Sequence, residues 1–235
     1  MLTLFICNQT KNLSRPDEIG SFFSSSERIK HKTMHNTALE MLHKAVSLQS
    51  KSTDQQTGKL PEIITNELGK PSFSNPELPK FNWSHSGSLI LLGTSRLPIG
   101  TDIELEKNRN TELISQKYFS CYEQDYIKKD PVANFFKIWV IRESIGKYIG
   151  NGIQAFESLE INPFKREARY HITEKTKVDD EALQDAYIYT CSIDRYHMAA
   201  VARDTTLKVY EASSNLSIEK EMNWHLWGSC KMVFR

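Results

Sequence analysis

Hydrophobic positions along this chain fall into strand-like runs separated by two stretches of helical spacing. Leu2-Thr-Leu-Phe-Ile-Cys7 is a short apolar run closed by polar Asn8-Gln9-Thr10-Lys11. It lacks the length and basic lead of a signal segment and predicts a first strand. Ser24 and Glu27 form a capping box ahead of a helix running to about Leu48, whose opening carries Arg28, Lys30, His31 and Lys32. A polar connection over 49–60, a short structured segment at Pro61–Asn66 and a loop through Gly69, Pro71, Pro76 and Pro79 follow. Phe81–Ser86, Leu89–Thr94 and Ile99–Leu105 together read as a β-hairpin, broken at Ser95-Arg-Leu-Pro98. Residues 111–129 predict one helix capped by Asn110, and Asp130-Pro131 begins another that Gly150-Asn151-Gly152 stops. Ala186–Ser192 and Met198–Ala202 predict strands of a closing sheet, whereas 160–182 is polar and weakly patterned.

Composition narrows the function classes. With 235 residues and 39% hydrophobic content the chain can bury a large core, and 30 Lys and Arg against 29 Asp and Glu leave a formal charge of +1. No global field favours nucleic acid or a membrane surface, so an anionic ligand must be held locally. Cys7, Cys121, Cys191 and Cys230 form no CxxC pair, which argues against a zinc site and a secreted disulfide scaffold and for a reducing cytoplasm. No run approaches the roughly 18 apolar residues that span a bilayer.

Three segments carry candidate chemistry. In Gly100-Thr-Asp-Ile-Glu-Leu105 the period of two places Asp102 and Glu104 on one face of a strand. Two carboxylates side by side repel unless a cation sits between them, and Mg2+ favours such oxygen ligands. An isolated Asp-x-Glu is more often a solvated edge strand. On the helix ending at Gly150, Ile138, Ile141, Ile145, Tyr148 and Ile149 gather on a core side, and Trp139, Glu143, Gly146, Lys147 and Gly150 on the other. The glycines there suggest close approach of a phosphate-bearing ligand or, as readily, a packing contact. Trp83-Ser84-His85-Ser86 offers hydroxyl and imidazole donors without a nucleophile elbow.

Taken in order, Gly69-Lys70-Pro71, Trp83-Ser84-His85-Ser86, Gly100-Thr101-Asp102-Ile103-Glu104 and Trp139 to Gly150 resemble the 4'-phosphopantetheinyl transferases of the long, surfactin-synthetase-activating type. The resemblance implies an α+β fold, a pseudo-twofold pair of similar sub-domains with the active site between them. The sub-domain boundary is expected at 100/101, residues 1–100 on the coenzyme A side and 101–235 carrying metal and catalytic helix. It implies Mg2+, or Mn2+ in its place, held by Asp102, Glu104 and Glu143 against the pyrophosphate of coenzyme A. Lys147 is implied beside the phosphates, Ser84 and His85 at the 3'-phosphate, Lys70 and Pro71 along the adenine, and Arg28 and Lys30 as further phosphate contacts. Glu143 is the implied base toward the serine of an acyl or peptidyl carrier protein, and Glu123 matches a further family acid. A monomer is implied, with a basic or apolar docking surface near the cleft.

Departures from the family pattern are Arg142 for the lysine before the helical Glu, Val140, Thr101, and Asn36 where an arginine often follows His35. Two alternatives compete. An Asp-x-Glu strand with nearby Glu and Lys also suits a metal-dependent phosphodiesterase or nuclease, although no Arg/Lys stripe accompanies it. A non-catalytic module binding coenzyme A or a carrier protein fits the Asn36 departure. Residues 153–235 supply no chemistry in this reading.

Overall fold

A computed structural model describes residues 1–8, 26–49, 60–108, 110–173, 180–211 and 223–234. The elements are β1 (Leu2–Asn8), α1 (Ser26–Gln49), β2 (Ile63–Thr65), β3 (Pro71–Phe73), β4 (Lys80–Ser86), β5 (Leu89–Ser95) and β6 (Ile99–Leu105). There follow α2 (Thr111–Tyr118), α3 (Cys121–Ile127), α4 (Ala133–Ile149), β7 (Leu159–Asn162), β8 (Glu167–Ile172), β9 (Ala186–Ile193), β10 (Tyr196–Ala202), β11 (Leu207–Glu211) and β12 (His225–Phe234). One sheet has the order β11-β1-β5-β4, a second β6-β10-β9-β12-β8-β7, and β2 pairs with β3 alone.

Strand alternation builds four layers. Leu2, Leu4 and Ile6 of β1, with Leu89 and Leu91 of β5, meet Ile99, Ile103, Met198 and Ala200 of the second sheet in a core between the sheets. The intervening Phe5, Cys7, Ile90 and Leu92 point outward to α1, whose Met34, Ala38, Met41, Leu42 and Ala45 recur at helical spacing. On the far side, Ile138, Ile141, Ile145 and Tyr148 of α4 pack on Ile188, Ala199 and Val201. The fold is thus α+β, two sheets face to face with one long helix outside each.

Several sequence expectations are corrected. The segment 111–129 is two helices, because Ser120 and Glu123 form a capping box that restarts the helix: Ser120 Oγ accepts from the Glu123 N–H at 3.4 Å, and Glu123 Oε2 accepts from the Ser120 N–H at 2.7 Å. Asn110 caps α2 as expected, its Oδ1 accepting from Leu113 N–H at 3.2 Å. Regular α4 starts at Ala133, with Asp130 Oδ1 accepting the Ala133 N–H at 3.1 Å, and Gly150 closes it at φ 90°. β4 and β5 form the expected hairpin, but β6 leaves them to pair with β10. Strands β7, β8, β11 and β12 lie where the sequence pattern is weak. β11, on the C-terminal side of residue 100, belongs to the sheet of β1 and β5. The Ser24 capping residue lies outside the described residues.

Candidate active site

The two sheets meet where β4 runs alongside β6, and side chains rather than a backbone ladder stitch this seam. Asn82 Oδ1 accepts from the Thr101 N–H at 2.8 Å, Ser84 Oγ donates to Asp102 Oδ1 at 2.8 Å, and Ser86 Oγ donates to Glu104 Oε2 at 2.9 Å. Alternate residues of β4 therefore address Thr101, Asp102 and Glu104 of β6, the last two being the carboxylates singled out above. Helix α4 lies directly on this strand. A Cβ on Gly100 would run into the Ser144 carbonyl oxygen and the Tyr148 nitrogen, so the glycine permits the backbone contact that brings Lys147 over Asp102. Lys147 Nζ stands 2.7 Å from Asp102 Oδ1 and 3.3 Å from Ser84 Oγ.

Asp102 is 4% exposed. Burial pushes its carboxyl above the ordinary range, opposed by the charge and hydrogen bond of Lys147 and by the Ser84 hydroxyl. Its Oδ2 is buried and has no hydrogen-bond partner among the described residues. A hard cation answers the need of that oxygen, so the donor chemistry fits Mg2+. The side chains as placed do not close a full metal site: among the described residues no three His, Cys, Asp or Glu gather as a metal-binding group. Glu104 shares its Oε2 with Ser86 and, at 3.5 Å, with Lys107. Glu143, half-buried, precedes Lys147 by one turn on α4.

The other candidates separate. Ser84 turns to the seam, while the side chain of His85 follows the opposite face of β4, the face of Trp83 on Phe81 and His35. Lys70 Nζ donates to the Tyr148 carbonyl oxygen at 2.9 Å, holding the Gly69-Lys70-Pro71 loop against the C-terminus of α4, where a cation also meets the negative end of the helix dipole. Pro71 begins β3. Arg28 and Lys30 lie on α1, but their side chains are outside the described residues. Asn36 is exposed on α1. The ligand gap read from the α4 glycines is corrected: a Cβ on Gly146 would strike the Gly152 carbonyl oxygen, so this glycine serves packing, and Gly150 is a helix cap.

Sequence reasoning left Glu123 without a firm role. Arg142 Nε and Nη2 donate to its two oxygens at 2.7 and 2.6 Å, and both side chains are fully buried. Arg142 also donates to the Phe156 and Leu159 carbonyls at 3.1 Å each and lies over the Phe119 ring at 4.8 Å. The arginine next to Glu143 is thus a two-pronged clamp between α3, α4 and the segment entering β7. The Ser120-x-x-Glu123 spacing was the available signal for the acid.

The sequence model of the 4'-phosphopantetheinyl transferase superfamily matches residues 98–201, from β6 through α4 to β10. The chain is 33% identical over 161 residues to 4'-phosphopantetheinyl transferase Sfp of Bacillus subtilis (strain 168), which covers 63% of this chain and 68% of that protein. It is 29% identical over 214 residues to 4'-phosphopantetheinyl transferase ffp of Bacillus subtilis, covering 83% of this chain and 92% of that one. It is 37% identical over 108 residues to 4'-phosphopantetheinyl transferase AcpT of Escherichia coli (strain K12), covering 43% and 55%. A seam of paired carboxylates crossed by a Glu and Lys helix suits chemistry on phosphate-bearing groups. The chain belongs to the 4'-phosphopantetheinyl transferase superfamily.

Proposed function

We propose that the protein transfers the 4'-phosphopantetheine arm of coenzyme A to a serine of an apo acyl or peptidyl carrier protein, in a magnesium-dependent reaction that releases 3',5'-adenosine bisphosphate. The observation that carries this reading is the unpartnered, buried Oδ2 of Asp102 beside the Lys147 ammonium. A desolvated carboxylate with one oxygen committed to a lysine and the other unused suits a divalent cation with a phosphate ligand. Asp102, Glu104 and Glu143 would hold the metal, which when bound supplies charge neutralisation of the pyrophosphate.

The chain's own residues do the rest. Lys147 sits within reach of both the Asp102 carboxylate and the Ser84 hydroxyl, so its ammonium can exchange these partners for a phosphate oxygen. Glu143 takes the proton of the carrier serine, directly or through a water. The serine oxygen forms a bond to the β-phosphorus, and the bridging oxygen leaves on the adenosine bisphosphate. Lys70 and Pro71, at the end of α4, and His85, on the α1 face of β4, border the region assigned to the nucleotide. Half-buried Ile114 and exposed Leu113 on α2 are apolar contacts that support carrier docking on the C-terminal half. Among the described residues no helix is long and apolar enough to cross a membrane; a cytoplasmic monomer is part of the proposal.

The test is intact-protein mass spectrometry of several apo carrier proteins incubated with this protein, coenzyme A and Mg2+, in parallel with Glu143→Ala. The expected result is a gain of one phosphopantetheine arm that needs both Mg2+ and Glu143. Binding of coenzyme A with no gain on any carrier would overturn transfer.

A further inference from the structure

The carboxylates of β6 do not end with the two in the seam. Glu106, one residue past the strand, continues the alternation of Asp102 and Glu104 on the side that α4 covers. Strand β10 lies beside this row, with Ala199 opposite Asp102 and His197 opposite Glu104. Ala199 has no polar side-chain group to offer. His197 reaches the third carboxylate, its Nε2 standing 3.0 Å from Glu106 Oε1. A carboxylate only accepts, so Nε2 carries the shared proton, and the Ser192 hydroxyl meets Nδ1 at 2.9 Å.

Glu106 is held elsewhere as well. Its Oε2 is 3.4 Å from Arg195 Nε, its N–H donates to the Arg195 carbonyl at 2.9 Å, and its own carbonyl accepts from Arg195 Nη2 at 3.1 Å. The Arg195 side chain is exposed and its charge is screened by solvent, whereas His197 is 3% exposed and lies parallel to the Phe136 ring at 6.4 Å. The buried imidazole is therefore the firmer partner. Phe136, Glu143 and Lys147 share one face of α4, since seven and eleven residues at 100° return to within roughly 20°. The helix thus touches the row at two points, Phe136 on His197 and Lys147 on Asp102, with Glu143 between them along the helix.

Three carboxylates at two-residue spacing, roughly 7 Å apart along the backbone, offer a divalent cation two places. One lies between Asp102 and Glu104, beside Lys147. The other lies between Glu104 and Glu106, and a cation there would draw Glu104 away from Asp102. We infer that His197 is a positioning residue of the transfer site: by occupying Glu106 it withholds the third carboxylate and confines the cation to Asp102 and Glu104. This rests on the reading of Asp102 and Glu104 as metal ligands given above.

The probe is Mn2+, titrated into the full chain with the free ion read by electron paramagnetic resonance. The parent is expected to bind Mn2+ in a way that Asp102→Asn weakens about tenfold or more. His197→Leu leaves half-buried Glu106 without its imidazole and should bind Mn2+ about threefold or more tighter, because a third carboxylate joins the ion. His197→Gln, whose amide can still donate to Glu106, should stay within about twofold of the parent, as should Glu106→Gln. The double variant carrying His197→Leu and Glu106→Gln should return to within about twofold of the parent, a suppression that a merely structural role for His197 would not give. Carrier modification at saturating Mg2+ should fall about tenfold or more in His197→Leu and recover in the double variant. Thermal unfolding identifies the variants that keep their fold, and Glu106→Gln keeps the inference falsifiable where His197→Leu does not fold. Unchanged Mn2+ affinity in folded His197→Leu, or a loss of about tenfold in Glu106→Gln, overturns the inference and leaves the metal reading standing. Parent binding that Asp102→Asn does not weaken overturns the metal reading and the inference with it.

Discussion

Helix α4 carries two acid-base pairs five residues apart, and they are opposite in design. Arg142 and Glu123 are fully buried, doubly hydrogen-bonded and backed by two carbonyls and two aromatic rings, so the pair is saturated. Lys147 and Asp102 share a single contact, with Lys147 a quarter exposed and the second Asp102 oxygen unmatched. The first pair fixes how α4 is rotated and where it sits. The second leaves bonding capacity for something that arrives. One helix thus carries a saturated charge pair and an unsatisfied one, the second being the pair assigned to the reaction in the proposal above.

The largest expected effect breaks the saturated pair. Glu123→Gln keeps a capping side chain for α3 but leaves Arg142 buried without its countercharge, and should lower unfolding stability by about 3–5 kcal/mol in urea titration. A loss below about 1 kcal/mol would show that the clamp does not govern the fold. Next comes the open pair. Asp102→Ala should reduce phosphopantetheine transfer about 100- to 1,000-fold, read by carrier mass shift, while the unfolding midpoint stays at or above that of the parent. Retention of activity within tenfold would remove Asp102 from the site.

The smallest effect is a pH dependence of the same pair. Because burial raises the Asp102 carboxyl, the folded protein binds that proton more tightly than the unfolded chain does. Stability is therefore lost as pH rises through the carboxylate range toward the raised value, the reverse of a salt bridge that depresses its acid. Without Mg2+, Asp102→Asn should be the more stable protein near neutrality. Its advantage should shrink as pH falls and vanish below the ordinary range of an aspartate. An advantage independent of pH would refute the burial account.

Where local rules govern, the structure was readable in advance. The period of two put Asp102 and Glu104 on one face, and they do share the seam with Ser84 and Ser86. Asn110 and Gly150 mark helix ends as their chemistry predicts. What stayed hidden is pairing across distance. Nothing in its neighbours shows that Arg142 reaches back 19 residues to Glu123, or that Gly146 faces Gly152 rather than a ligand. The resemblance implies Ser84 and His85 at one phosphate, whereas strand geometry sends neighbours to opposite faces. β12 was missed because its burial does not alternate: only Cys230 along it is buried, so it has no period of two to detect.

The parallel pairing of β1 with β11, Leu2 beside Leu207 through Ile6 beside Glu211, has a consequence for biosynthesis. Strand β1 is synthesised about two hundred residues ahead of β11, one of its two lateral partners. Until then its backbone edge is open to other chains, a hazard that chaperones are placed to cover. Release of a truncated product ending before Leu207 would leave β1 without its β11 partner, so completion of β11 protects β1.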